Sequence, residues 1–220
     1  MSKFIPICVS KSSENFTLFL SISVVYGKTG NGLIFIPKFK EVREIKIKKN
    51  TNQKSKAKFP YRIYLDDGRI IPVPSQHKFK SDYIRTHGCS LVAFYISLRF
   101  LGIKKSMAWC KKYMDKNHGL NGHAKFSLRQ VAAAINEIDT SKPAIFKKSP
   151  SSATIRSNLK RGNLVLFEEK NPIHTAVLIQ IGAKVKRFSD GGYKNVTVAQ
   201  EINKLCGDAY YGGCVIIRKK

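Results

Sequence analysis

Acidic residues are scarce in this chain. Only 14 Asp plus Glu stand against 40 Lys plus Arg in 220 residues, a formal net charge of +26. A field of that sign attracts nucleic acid, anionic lipid or acidic wall polymers without choosing among them. The lysines are spread through the whole sequence, and no zinc finger, Gly-rich phosphate loop or recognition-helix signature accompanies them. A specific nucleic-acid partner is therefore not expected. Cysteine pairs are lacking as well. The five cysteines, Cys8, Cys89, Cys110, Cys206 and Cys214, are odd in number and irregular in spacing. That argues against a disulfide framework, and the absence of any C-x-x-C pair argues against zinc. Cys206 and Cys214 read either as a bridge across a loop in an oxidising compartment or as two ordinary thiols. No apolar run reaches the ~18 residues of a spanning helix, and no internal repeat is present. Residues 16–27, FTLFLSISVVYG, have the length of a signal h-region, but their alternation also suits a strand. The compartment, cytoplasmic or secreted, stays open.

What is present supports a packed core: 43% of residues are hydrophobic and 10% aromatic. Residues 33–36 and 42–47 read as short strands. The cationic stretch 48–58 reads as a solvated loop, with a polyanion-binding arm as the lesser alternative. In YRIYLDDGRIIPV, residues 61–73, two β-rich runs flank Asp66-Asp67-Gly68, which predicts a hairpin. Cys89 to Leu101 carries apolar residues on nearly every face, the pattern of a helix buried all round. Further helices are predicted over Ser106–Met114, over Ser127–Ile138 with Ser127 as N-cap, and over Ser151–Gly162. Strands follow at residues 163–167, 175–182, 184–188 and 212–219. Helices first and an antiparallel sheet second predict an α+β fold rather than a doubly wound sheet.

A thiol nucleophile needs a way to ionise, a base within reach and a group to orient the base. Cys89 falls at the start of the buried helix, where free N–H groups favour a thiolate, and Gly88 allows close backbone approach. Of the five histidines, His174 alone begins a strongly apolar strand. The segment HTAVLIQIGAKVKRFSD runs out, turns near Gly182 and returns to Asp190. That brings a carboxylate beside the ring to fix its tautomer. The rival readings are plain ones: His174 caps a strand edge, and Asp190 is a turn residue.

At this point a family resemblance enters. VPSQHKFKSDYIRTHGCSLVAFYISLRFLG resembles the nucleophile region of the C39-like cysteine peptidases, bacterial-type members of the papain-like superfamily. SLRQVAAAINEI, IRSNLKRGNLVLF, the His-to-Asp segment and GGCVIIRKK are similar to the elements that follow there, over roughly residues 71–220. The resemblance implies a papain-like fold, with a central N-terminal helix carrying the Cys packed on an antiparallel sheet carrying His and Asp. It implies Cys89 as nucleophile, His174 as general base and later acid, Asp190 as orienter and Gln76 as oxyanion-hole amide, with no cofactor or metal. Papain itself has its Gln six residues before the Cys, where this chain has Tyr83. Ile173 stands where many relatives have Gly. Residues 1–70 would form a β-rich basic extension (a prosegment, a targeting module or an accessory module), and residues 71–220 the catalytic domain.

Three functional readings follow. The first is a thiol hydrolase cleaving peptide bonds through a Cys-His-Asp triad and an acyl-enzyme, on an acidic or cell-wall-derived peptide. The second is a peptidoglycan amidase of the NlpC/P60 or CHAP type. Such enzymes usually place the His closer to the Cys. The third is an inactive peptide- or polyanion-binding module on the same scaffold.

Overall fold

A computed structural model describes residues 4–7, 20–29, 32–40, 61–65, 67–189 and 192–219. The expected strand at 42–47, the cationic stretch 48–58, Cys8, Asp66 and Asp190 lie outside the described residues. The chain forms two compact units, Met1–Asn52 and Gln53–Lys220. In the first, β1 (Phe4–Ile7), β2 (Leu20–Thr29) and β3 (Gly32–Lys40) form an antiparallel sheet in the order β1-β2-β3.

The second unit begins well before residue 70, the boundary expected from sequence. The reason is packing. β4 (Tyr61–Tyr64) pairs antiparallel with β5 (Ile70–Val73), and Ile63, Ile71 and Val73 are buried in the same core as the Cys89 helix. Gly68, at φ +83°, supplies the left-handed turn residue that the hairpin requires. A single 3-10 turn, Gln76–Lys78, leads into α1 (Asp82–His87) and then α2 (Cys89–Phe100). α3 (Met107–Asn117) is capped by Ser106. α4 (Leu128–Ile138) begins with a full capping box, in which the Ser127 hydroxyl accepts from the Gln130 N–H and the Gln130 amide oxygen accepts from the Ser127 N–H. β6 (Ala144–Lys147) and α5 (Ser152–Lys160) precede the main strands β7 (Leu164–Lys170), β8 (Ile173–Ile181), β9 (Lys184–Ser189) and β10 (Gly192–Val196). α6 (Val198–Ile202) and β11 (Cys214–Ile217) close the unit.

Six strands make one sheet in the order β10-β9-β8-β7-β11-β6, and every neighbouring pair is antiparallel. The fold is α+β. On one face α2 and α4 pack against Leu166, Val177, Ile179 and Val215. On the other, Ile155 and Leu159 of α5 and Val198 of α6 cover Val165, Phe167, Leu178 and Ile216. α2 is the centre of the larger core, with Leu91, Phe94, Ile96, Leu98 and Phe100 all buried. Each such side chain contributes about 1.5–3 kcal/mol, which fixes the helix and its first residue firmly. Among the described residues no helix is long and apolar enough to cross a membrane, and Cys89, Cys110, Cys206 and Cys214 are free thiols.

Candidate active site

Gly88 joins α1 to α2 at a crowded junction. A Cβ there would lie 2.3 Å from the Ile84 carbonyl oxygen, so only glycine lets α2 start where it does. The carbonyl of Gly88 accepts from Val92, and Cys89 becomes the first residue of α2. Its side chain is 6% exposed. On the sheet beneath, β8 opens with Ile173, His174 and Thr175. Cys89, His174 and Gln76 line a single narrow cleft. Val73, Val92, Ile96, Val177 and Phe188 form its apolar wall. Three of the four residues expected from sequence therefore come together, from a 3-10 turn, a helix start and a strand start. The fourth, Asp190, is among the residues not described.

Burial alone would raise the Cys89 thiol. A hydrogen bond from His174, the positive charge of Lys125, the nearness of His174 and the Thr175 backbone N–H together outweigh it, and the thiol falls from 9.0 to about 7. Two other buried thiols behave oppositely. Burial pushes both Cys110 and Cys214 up to about 12. So a thiolate is accessible at neutral pH at Cys89 and not at Cys110 or Cys214.

Gln76 is buried, and its Nε2 donates to the Arg85 carbonyl at 3.2 Å. An amide nitrogen has two protons, and Gln76 lines the cleft. Its Oε1 is buried and has no hydrogen-bond partner among the described residues.

Two residues that sequence reasoning passed over complete the site. Lys125, 5% exposed, lies just before the α4 cap and points its Nζ at Cys89 Sγ, 3.6 Å away. The same Nζ forms an ion pair with Glu168, 0% exposed, and reaches Thr175 Oγ1 at 3.5 Å. Thr175 in turn donates to Glu168 Oε2 at 2.9 Å. Burial raises Glu168, and Lys125, Thr175 and His174 work against that rise. Glu168 and Thr175 are direct register partners on β7 and β8. The next pair along is Glu169 and His174, but Glu169 is held by Arg187, which also lies 3.2 Å from Glu201. Among the described carboxylates, Glu168 is the one tied to the cysteine cluster. A sequence signal for it exists: two adjacent acids end an apolar strand in a chain with only 14 acidic residues. Nothing comparable marks Lys125 among 40 basic residues.

The arrangement supplies a polarised thiol, an imidazole and the Gln76 amide in the same cleft, and a buried cation 3.6 Å from the sulfur. This chemistry suits nucleophilic attack on a carbonyl. No protein-family model, no curated protein and no solved structure matches the chain.

Proposed function

We propose that this protein is a thiol hydrolase of peptide or amide bonds, built on a papain-like scaffold of the C39-like kind. The observation that carries the reading is the meeting of Cys89 with His174 in one cleft, with the thiol lowered to about 7 despite its burial. A thiol-bearing helix start above an antiparallel strand with histidine as its second residue supports the arrangement that the family resemblance implies. In the mechanism, Cys89 Sγ attacks the substrate carbonyl carbon and the carbonyl π pair moves to oxygen. The oxyanion is stabilised by the Gln76 amide and by backbone N–H at the start of α2. The intermediate collapses with cleavage of the C–N bond, and His174 gives its proton to the leaving amine. A water, deprotonated by His174, then attacks the thioester and releases the acid and the free thiol. A chain with a net charge of +26 suits an acidic peptide or wall-derived substrate.

Selective alkylation tests this reading. Near pH 6, thiols at about 7 and about 12 differ about 10⁵-fold in thiolate, and the weaker nucleophilicity of the more acidic thiol leaves about a 300-fold preference for Cys89 over Cys110. The Cys89 rate should rise with pH through about 7. His174→Ala should slow it at low pH and leave Cys110 unchanged. Equal rates at Cys89 and Cys110, or an unaltered Cys89 rate in His174→Ala, would refute the proposal.

A further inference from the structure

In the proposed mechanism His174 is the base that serves Cys89. Here the sulfur has a second neighbour. Lys125 Nζ is 3.6 Å from Cys89 Sγ and is almost wholly buried. An ammonium in that setting is costly unless paired. It is paired twice, with Glu168 by charge and with Thr175 Oγ1 at 3.5 Å. Glu168 is fixed in turn by the Thr175 hydroxyl at 2.9 Å. The Lys125 side chain also lies over the Tyr211 ring at 5.3 Å, which covers it from the C-terminal loop. The groups facing the sulfur are therefore His174 and Thr175 from β8, Lys125 from the loop before α4, with Glu168 of β7 behind it, and Tyr83 from α1. Taken as Cys⁻, His⁺, Lys⁺ and Glu⁻, the cluster has no net charge, so a thiolate forms there without burying an unbalanced ion.

We infer that Lys125 is a second cationic partner of the Cys89 sulfur, held against it by Glu168 and Thr175, so that the attacking thiolate is stabilised from two sides rather than by His174 alone. The inference rests on the hydrolase reading and adds a residue to it. It also gives the Lys125–Glu168 pair a function besides packing: the pair fixes the distance between cation and sulfur. Lys125 needs no proton transfer for this role; it contributes a fixed charge.

The test is the pH profile of Cys89 alkylation by iodoacetamide in the full chain, read by peptide mass mapping. The proteins compared are the unsubstituted chain, Lys125→Arg, Lys125→Met, the double variant Lys125→Met/Glu168→Gln, and His174→Ala. The double variant leaves no unpaired buried charge, so it controls for misfolding of the single one. Expected is a shift of the profile to higher pH in both Met variants, with the rate near pH 6 down about three- to tenfold. Lys125→Arg should keep the low profile, because it keeps the charge. If the double variant alkylates as the unsubstituted chain does, the role of Lys125 is overturned while the hydrolase reading stands, provided that His174→Ala still shifts the profile. If Cys89 of the unsubstituted chain titrates as an ordinary thiol, both are overturned.

Discussion

Replacing Glu168 by Gln probes the buried pair most sharply. The substitution keeps size and shape but removes the negative charge that offsets Lys125, which is 5% exposed and, among the described residues, has Thr175 Oγ1 and Cys89 Sγ as its other hydrogen-bond partners. Breaking a buried ion pair at one partner costs about 3–5 kcal/mol, whereas removing both charges together is often close to neutral. The Cys89 thiolate remains beside Lys125 and absorbs part of the loss, so the lower end, about 3 kcal/mol, is expected above neutral pH. The assay is urea unfolding followed by fluorescence. The chain has one tryptophan. It is Trp109 on α3, stacked 5.0 Å from Tyr113, so its signal reports the unit that holds the site. With a urea slope of about 2 kcal/mol/M, a loss of about 3 kcal/mol moves the midpoint down by about 1.5 M. The double variant Lys125→Met/Glu168→Gln should recover most of that shift. A midpoint change below about 0.5 M for Glu168→Gln, or a double variant no better than the single, would show that the pair is not a closed buried ion pair.

Further outcomes follow from the same geometry. Gln76→Ala should slow acyl-enzyme formation by about 10²–10³ with little change in Cys89 alkylation, since an oxyanion donor acts on the intermediate and not on the thiol; stopped-flow burst kinetics with a chromogenic amide or thioester separates the two. Gly88→Ala places a Cβ 2.3 Å from the Ile84 carbonyl oxygen, and the forced displacement should cost about 1–3 kcal/mol in the urea assay. It should also lower Cys89 reactivity, whereas Cys206, elsewhere in the unit, should react as before.

The legible parts of the sequence were those whose signal is local. α2 showed itself because apolar residues fall on nearly every face from Leu91 to Leu101, which only full burial explains. Ser127 announced α4, and Asp67-Gly68 announced the β4–β5 turn. The strands β7, β8 and β9 were found because β-branched and aromatic residues cluster there. What the sequence concealed was either short or assembled over distance. β6 has four residues, and its sheet neighbour among the described residues, β11, lies near the far end of the chain. β10, GYKNV, has no buried residue to betray a strand. α1 and α6 are one to two turns long, too short for a periodic pattern. The Lys125–Glu168 contact spans 43 residues, and no local pattern encodes it. The candidate site divides in the same way. Cys89 and His174 stood out by their position on elements, whereas the charges that tune the sulfur emerged only when α2, the loop before α4 and β7 were brought together.

If Cys89 is the nucleophile of the proposed reaction, it forms an acyl-enzyme with help from His174. The most direct measurement is intact-protein mass spectrometry after brief exposure to a series of activated peptide esters, followed by peptide mapping. Expected is a mass increase of one acyl group, located on Cys89, absent in Cys89→Ala, strongly slowed in His174→Ala and discharged on standing in the unsubstituted chain. Acylation spread over Cys206 and surface lysines, with Cys89 unmodified or its modification indifferent to His174, would contradict it.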